Sequence, residues 1–153
     1  GNEPGRFTAH LFNHLGAPWL AQFWSRQVKR YTFSSLSPTG FGEDDDQGKA
    51  AATSFLFALG LFDLKGGCEE NCGYELTAPL FPEIIIHLHP DYYPGKSFRI
   101  ISEGTPEEDC YIRSASINGT ALHTPWISHH QLVKGGSLYM ELDSTPNYNW
   151  KGL

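Results

Sequence analysis

Pro18-Trp19-Leu20-Ala21-Gln22-Phe23-Trp24-Ser25-Arg26-Gln27-Val28-Lys29-Arg30-Tyr31 decides how the first part of this chain folds. Trp19, Phe23 and Gln27 lie on one stripe, with Leu20, Trp24, Val28 and Tyr31 beside it, a helical period. Proline fits the first helical position and Gly16 the break before it. Upstream, Leu11 and Leu15 keep the same period. Downstream, Ser34 to Gly42 is a Ser/Pro/Gly loop. A further helix is expected over Lys49–Leu59, burying Ala52, Phe55, Leu56 and Leu59, with Gly60 ending it. Trp and Phe occur on more than one face, so these helices read as the end of a larger helical array.

Near residue 63 the period changes. Ile84-Ile85-Ile86-His87-Leu88 is an apolar, β-branched run suited to a buried strand. Ser97 to Ile101 and Tyr111 to Ile117 follow in the same style. Ser137 to Leu142 alternates, with Leu138, Met140 and Leu142 on one face. Pro94-Gly95, Asn118-Gly119 and Gly135-Gly136 mark the turns between. The expected fold class is α+β: helices over residues 1–63, then a small antiparallel sheet or sandwich over 64–153.

Four Trp, seven Tyr and ten Phe among 153 residues, with 40% hydrophobic residues, exclude a disordered chain. A net charge of −6 argues against nucleic acid, whose phosphates need a basic face. No apolar stretch is long enough to span a membrane. The start, Gly-Asn-Glu-Pro, carries no signal peptide and reads as cut from something longer. Cys68-Glu69-Glu70-Asn71-Cys72, in a glycine-rich turn, suits a small disulfide loop, and Asn118-Gly119-Thr120 is a glycosylation sequon. Together they lean towards secretion, extracellular or periplasmic. The plain alternative is unpaired thiols and a chance sequon.

Two acidic runs stand at helix edges: Gly1-Asn2-Glu3-Pro4 and Gly42-Glu43-Asp44-Asp45-Asp46-Gln47-Gly48. Carboxylates gathered on loops serve a hard metal ion, a proton transfer, or both. They equally serve as caps: Asp before the Lys49–Leu59 helix, and Asn2 with Glu3 and Pro4 at the first helix start. His87-x-His89 places two rings on one strand face, but no third ligand is evident, so an ordinary strand pair is the simpler reading. His129-His130 reads as a solvated loop. Trp126 reads as core, with stacking on a sugar as the other use of an exposed indole.

Gly1 to Pro4, Leu11-Phe12-Asn13, Gly16-Ala17-Pro18-Trp19, and Asp44 to Gly48 leading into Phe57-Ala58-Leu59-Gly60-Leu61-Phe62 resemble the glycoside hydrolase family 92 α-mannosidases. So do Tyr74, Pro79-Leu80-Phe81, Ile86-His87-Leu88, Trp126-Ile127-Ser128-His129, Lys134 to Leu138, and Pro146-Asn147 with Asn149-Trp150. The series covers nearly the whole chain in order. The resemblance implies the last helices of an (α/α)6 barrel and the β region after it, from a calcium-dependent, inverting, exo-acting α-mannosidase. It makes Asp46 the general base assisted by Asp44, with Asp45 left to capping, and puts Asn2 and Glu3 in the Ca²⁺ site. The general acid would be a Glu upstream of this chain, and the partners a mannose-containing glycan and the upstream part of the same protein. The chain alone would then be inactive. Two departures bear on substrate preference: Arg6 and Phe7 replace a His pair, and Thr53 replaces a Trp. The competing reading is a non-catalytic, truncated or degenerate piece whose β region only packs or binds carbohydrate.

Overall fold

The computed structural model describes residues 3–33, 48–105 and 108–150. The chain opens with α1 (Glu3–Phe7), a 3₁₀ turn (Thr8–His10) and α2 (Leu11–His14). Helix α3 (Pro18–Thr32) begins on the expected proline, after Gly16 with φ 68°. Helix α4 (Lys49–Leu59) ends at Gly60, which is left-handed at φ 74°. A Cβ on Gly60 would collide with the carbonyl oxygen of Thr77, so both the backbone angle and the close approach require glycine.

Leaving α4, the chain forms β1 (Leu61–Phe62), β2 (Gly73–Leu76), β3 (Glu83–His87), β4 (Ser97–Glu103), β5 (Tyr111–Ile117), β6 (Thr120–Ala121) and β7 (Trp126–Ser128). Helix α5 (His129–Val133) and β8 (Gly136–Asp143) complete it. One sheet has the order β1-β2-β7, the other β3-β4-β8-β5-β6. Asn118 and Gly119, at φ 50° and 79°, make the β5–β6 turn that their residue types favour.

Phe98, Ile100, Ile112, Ile127, Leu138 and Met140 are fully buried in one core that also holds Leu59, Leu61 and Leu76. Leu138, Met140 and Leu142 share its side of β8, as their alternation requires. A smaller aromatic cluster joins Phe33, Ala50, Phe57 and Phe62, with Phe7 and Val28 against it.

The structure corrects several expectations. The β region is not wholly antiparallel: β4 and β8 pair in parallel, Phe98 to Gly136 through Glu103 to Glu141. The connection between them carries β5, β6, β7 and α5, long enough for a parallel return. Strand β3 is an edge, not a buried strand; Ile85 is 48% exposed while Leu88 just beyond it is buried. Helix α4 buries Ala50, Thr53, Phe57, Ala58 and Leu59, leaving Ala52 and Phe55 exposed. The face is rotated because Phe57 meets Phe33 and Phe62, a contact the period alone does not favour over Phe55.

Helix α3 departs further. It buries Ala21, Gln22, Ser25 and Arg26 and turns Trp24 and Tyr31 outward. The polar groups are latches. Gln22 Oε1 accepts from the Ile112 N–H at 3.0 Å. Arg26 Nη2 donates to the carbonyls of Ala78 and Pro79 at 3.1 and 3.3 Å. Small Ala21 and Ser25 let the helix approach closely enough for both.

Candidate functional site

Helix α1 starts at Glu3 and helix α4 at Lys49, immediately after the Asp44–Gly48 run. Asn2, Asp44 and Asp46 lie outside the described residues, as does the side chain of Glu3, so the expectation that these groups share one concavity does too. The helices that carry the two runs are nevertheless joined. The rings of Phe7 and Phe62 lie 4.9 Å apart, and Phe57 meets Phe62 at 5.3 Å. His10 sits between, stacked on Phe62 at 4.6 Å and edge-on to Phe57 at 5.0 Å. Burial lowers the His10 pKa from 6.5 to about 3, so the ring is neutral near pH 7.

The positions where the sequence departs from the family pattern are all engaged in packing. Arg6 is buried, its guanidinium carbon 5.2 Å from the Phe33 ring centroid. Phe7 belongs to the aromatic cluster. Thr53 is buried and its hydroxyl donates to the Lys49 carbonyl at 2.9 Å.

A second constellation had no signal in the sequence. Glu75, on β2, is buried and held from two sides. Asn13 Nδ2 donates to Oε2 at 2.6 Å, and His14 Nε2 lies 2.7 Å from Oε1. The His14 ring lies parallel to the Trp126 indole, 2° between planes at 5.9 Å. Glu75, His14 and Trp126, with Asp63, Lys65 and Asn71, line a cavity of about 390 Å³. Trp126 is therefore a half-buried wall, not core. Asn13 and His14 are more than sixty residues from Glu75 in sequence, so no local pattern betrays the contact.

Two further corrections belong here. Cys68 and Cys72 are free thiols, as is Cys110. The loop between the first two is instead organised by Asp63, whose carboxylate accepts from the Lys65 and Gly67 N–H groups at 2.8 and 2.6 Å. His129-His130 is not a solvated loop. It begins α5 behind a Ser128–Gln131 capping box, and His129 Nδ1 pairs with the Tyr74 hydroxyl at 2.9 Å. Among the described residues no three His, Cys, Asp or Glu side chains gather as a metal site, and no helix is long and apolar enough to cross a membrane.

Comparison with known proteins gives this arrangement a context. An uncharacterised secreted glycosidase of Arthroderma benhamiae is 28% identical over 144 residues, which is 93% of this chain and 18% of that protein. A family GH92 α-mannosidase from Bacteroides thetaiotaomicron matches with a TM-score of 0.86 at 21% identity, over 100% of this chain and 20% of its own. A structure of the same mannosidase with mannoimidazole gives 0.85 at 22%, over 99% and 19%. A family GH92 inverting mannosidase from the same organism gives 0.81 at 26%, over 98% and 19%. The chain thus spans about a fifth of the length of these relatives. Residues 1–144 match the glycosyl hydrolase family 92 catalytic domain, and the chain belongs to that family.

Proposed function

We propose that this chain is the C-terminal part of a secreted, calcium-dependent, inverting exo-α-mannosidase acting on mannose-containing glycans. The observation that carries the reading is the family match over residues 1–144, which spans both acidic runs. Their helices, α1 and α4, pack through one aromatic cluster, which supports a common site at their starts. The outward rings of α3 support the reading of these helices as the last of an (α/α)6 barrel whose remainder lies upstream.

In this reading Asp46 is the general base. It takes a proton from water, whose oxygen attacks the anomeric carbon as the glycosidic C–O bond breaks on the opposite face. The leaving oxygen receives its proton from a carboxylic acid supplied upstream, and the two carboxyl groups stand ~6.5–9.5 Å apart to admit the water. Asp44, two residues away, raises the proton affinity of Asp46 by like-charge repulsion. Asn2 and Glu3 would offer an amide oxygen and a carboxylate, hard donors that fit Ca²⁺. When bound, the ion supplies a positive centre that orients sugar hydroxyls.

The test is the full-length protein assayed on an aryl α-mannoside with and without a calcium chelator, beside Asp46→Ala. Asp46→Ala should lower kcat by ~10²–10⁴-fold with little change in KM. Near-normal turnover would reduce Asp46 to a cap, and calcium-independent turnover would remove the metal role. A full-length protein without turnover would favour the degenerate reading.

A further inference from the structure

The cavity bounded by α2, the loop after β1 and strand β7 is lined by none of the residues assigned to the reaction just described. Asp44 and Asp46 precede helix α4, whereas Asp63 and Lys65 follow it. An 11-residue helix is about 16 Å long, so the cavity belongs to the far end of α4. Its volume of about 390 Å³ suits a small ligand.

Its chemistry is specific. One wall is an indole, with the His14 ring parallel to it at 5.9 Å. Around it the polar groups are already satisfied in pairs: Glu75 by Asn13 and His14, Lys65 by Glu69 at 2.6 Å, Asp63 by two backbone N–H groups. Each keeps spare capacity. A carboxylate has about four lone-pair sites, and an ammonium has three donors of which Glu69 takes one. The cavity therefore offers both acceptors and a donor beside a flat apolar surface. A free cation gains little, because the carboxylates already have partners. An anion meets Asp63, Glu69 and Glu75. An apolar ligand would strip water from those carboxylates without replacing it. A hexose answers all of these at once: its C–H face lies on the indole, and its hydroxyls both donate and accept.

We propose that this cavity is a second carbohydrate-binding site, which takes one neutral hexose unit of a glycan against Trp126 and holds the polymer near the enzyme. The choice of an α-mannose polymer as first probe rests on the function proposed above. The test uses full-length protein, Trp126→Ala and the exposed rim variant Lys65→Ala, with folding checked by hydrogen exchange. Retention on immobilised yeast mannan is compared with kcat/KM on an aryl α-mannoside. Trp126→Ala should weaken retention ~3–10-fold, the range expected for loss of one aromatic contact, and Lys65→Ala by less. Turnover of the small mannoside should stay within about twofold of wild type, as expected for groups remote from the reacting atoms. Methyl α-mannoside should compete for retention. Unchanged retention in both variants overturns the site, as does competition by tetramethylammonium but not by methyl mannoside. If Trp126→Ala proves misfolded, Lys65→Ala decides alone. If wild-type protein hydrolyses no α-mannoside, the enzymatic reading fails separately. The site is then judged by retention on immobilised mannan, glucan and galactan, where equal retention of wild type and both variants refutes it.

Discussion

In the β region, Phe98, Ile100, Leu138 and Met140 point inward and are fully buried. In helix α3 the inward residues are Ala21, Gln22, Ser25 and Arg26, while Trp24 and Tyr31 are 46% and 78% exposed. The two regions share one chain and opposite design. Of ten buried polar or charged residues among those described, seven come from the helical part, and Asn13, Gln22 and Arg26 hydrogen-bond across to the β region, where the sheets rely on an apolar core. Both regions also leave large apolar side chains exposed, Leu15, Tyr31 and Phe55 in the helical part and Phe81, Tyr92 and Tyr148 beyond it, and Leu59 of α4 enters the core of the sheets.

The comparison breaks most visibly at Phe98. Truncating a fully buried Phe costs about 3–5 kcal/mol. In the full-length protein, Phe98→Ala should raise amide exchange across β4, β5 and β8 by the corresponding factor while amides of α3 and α4 keep their protection. Equal loss in both regions would show one cooperative unit and erase the distinction.

His10 should make the helical region acid-sensitive on its own. Its pKa is lowered from 6.5 to about 3, so the unfolded state takes up a proton that the folded state refuses between those values. The stabilisation is fully present above pH 6.5 and is lost as pH falls towards 3, at about 1.4 kcal/mol per unit in mid-window. Exchange of α4 amides, corrected for intrinsic rate, should accelerate on acidification from pH 6.5 to 4.5. His10→Phe should flatten that slope. A slope unchanged by the substitution would place the acid sensitivity elsewhere.

What the sequence made legible follows the same division. Helices α3 and α4, the Gly60 stop, the Asn118-Gly119 turn and the buried face of β8 could all be read, because each depends on neighbours a few residues away. The burial faces of α3 and α4 could not. They are set by Gln22 and Arg26 reaching partners ninety and about fifty residues on, and by Phe57 finding Phe33 and Phe62. The parallel β4–β8 pair is a topological choice that alternation does not encode. The acidic runs were conspicuous as sequence, whereas the Glu75 constellation required chain segments sixty residues apart to meet.

Arg26 is the seam between the two regions, and its removal should have a middling effect. Arg26→Ala leaves the Ala78 and Pro79 carbonyls without their donor, at a cost of about 1–3 kcal/mol. Protection of amides in α3 should fall while the interior of β4 and β8 is unaffected. Arg26→Lys should restore little, since one ammonium does not reproduce the guanidinium fork. Full rescue by lysine would show that charge, not geometry, holds the seam.

The smallest effect is a difference in thiol reactivity. Cys110 is half-buried, and desolvation raises its pKa, with the nearby Arg26 charge opposing the rise. Cys68 is exposed and free. Because the thiolate is the reactive form, iodoacetamide at pH 8 should modify Cys68 about tenfold faster than Cys110 or more. In Arg26→Ala the Cys110 rate should fall further, because the opposing charge is gone, unless the seam opens and exposes the thiol. The two outcomes have opposite signs, so one labelling experiment reports whether Arg26 acts on the junction mainly by charge or mainly by closure. Labelling of Cys68 and Cys72 only after reduction would instead show that the loop beside the cavity is closed by a disulfide, and that Asp63 does not organise it alone.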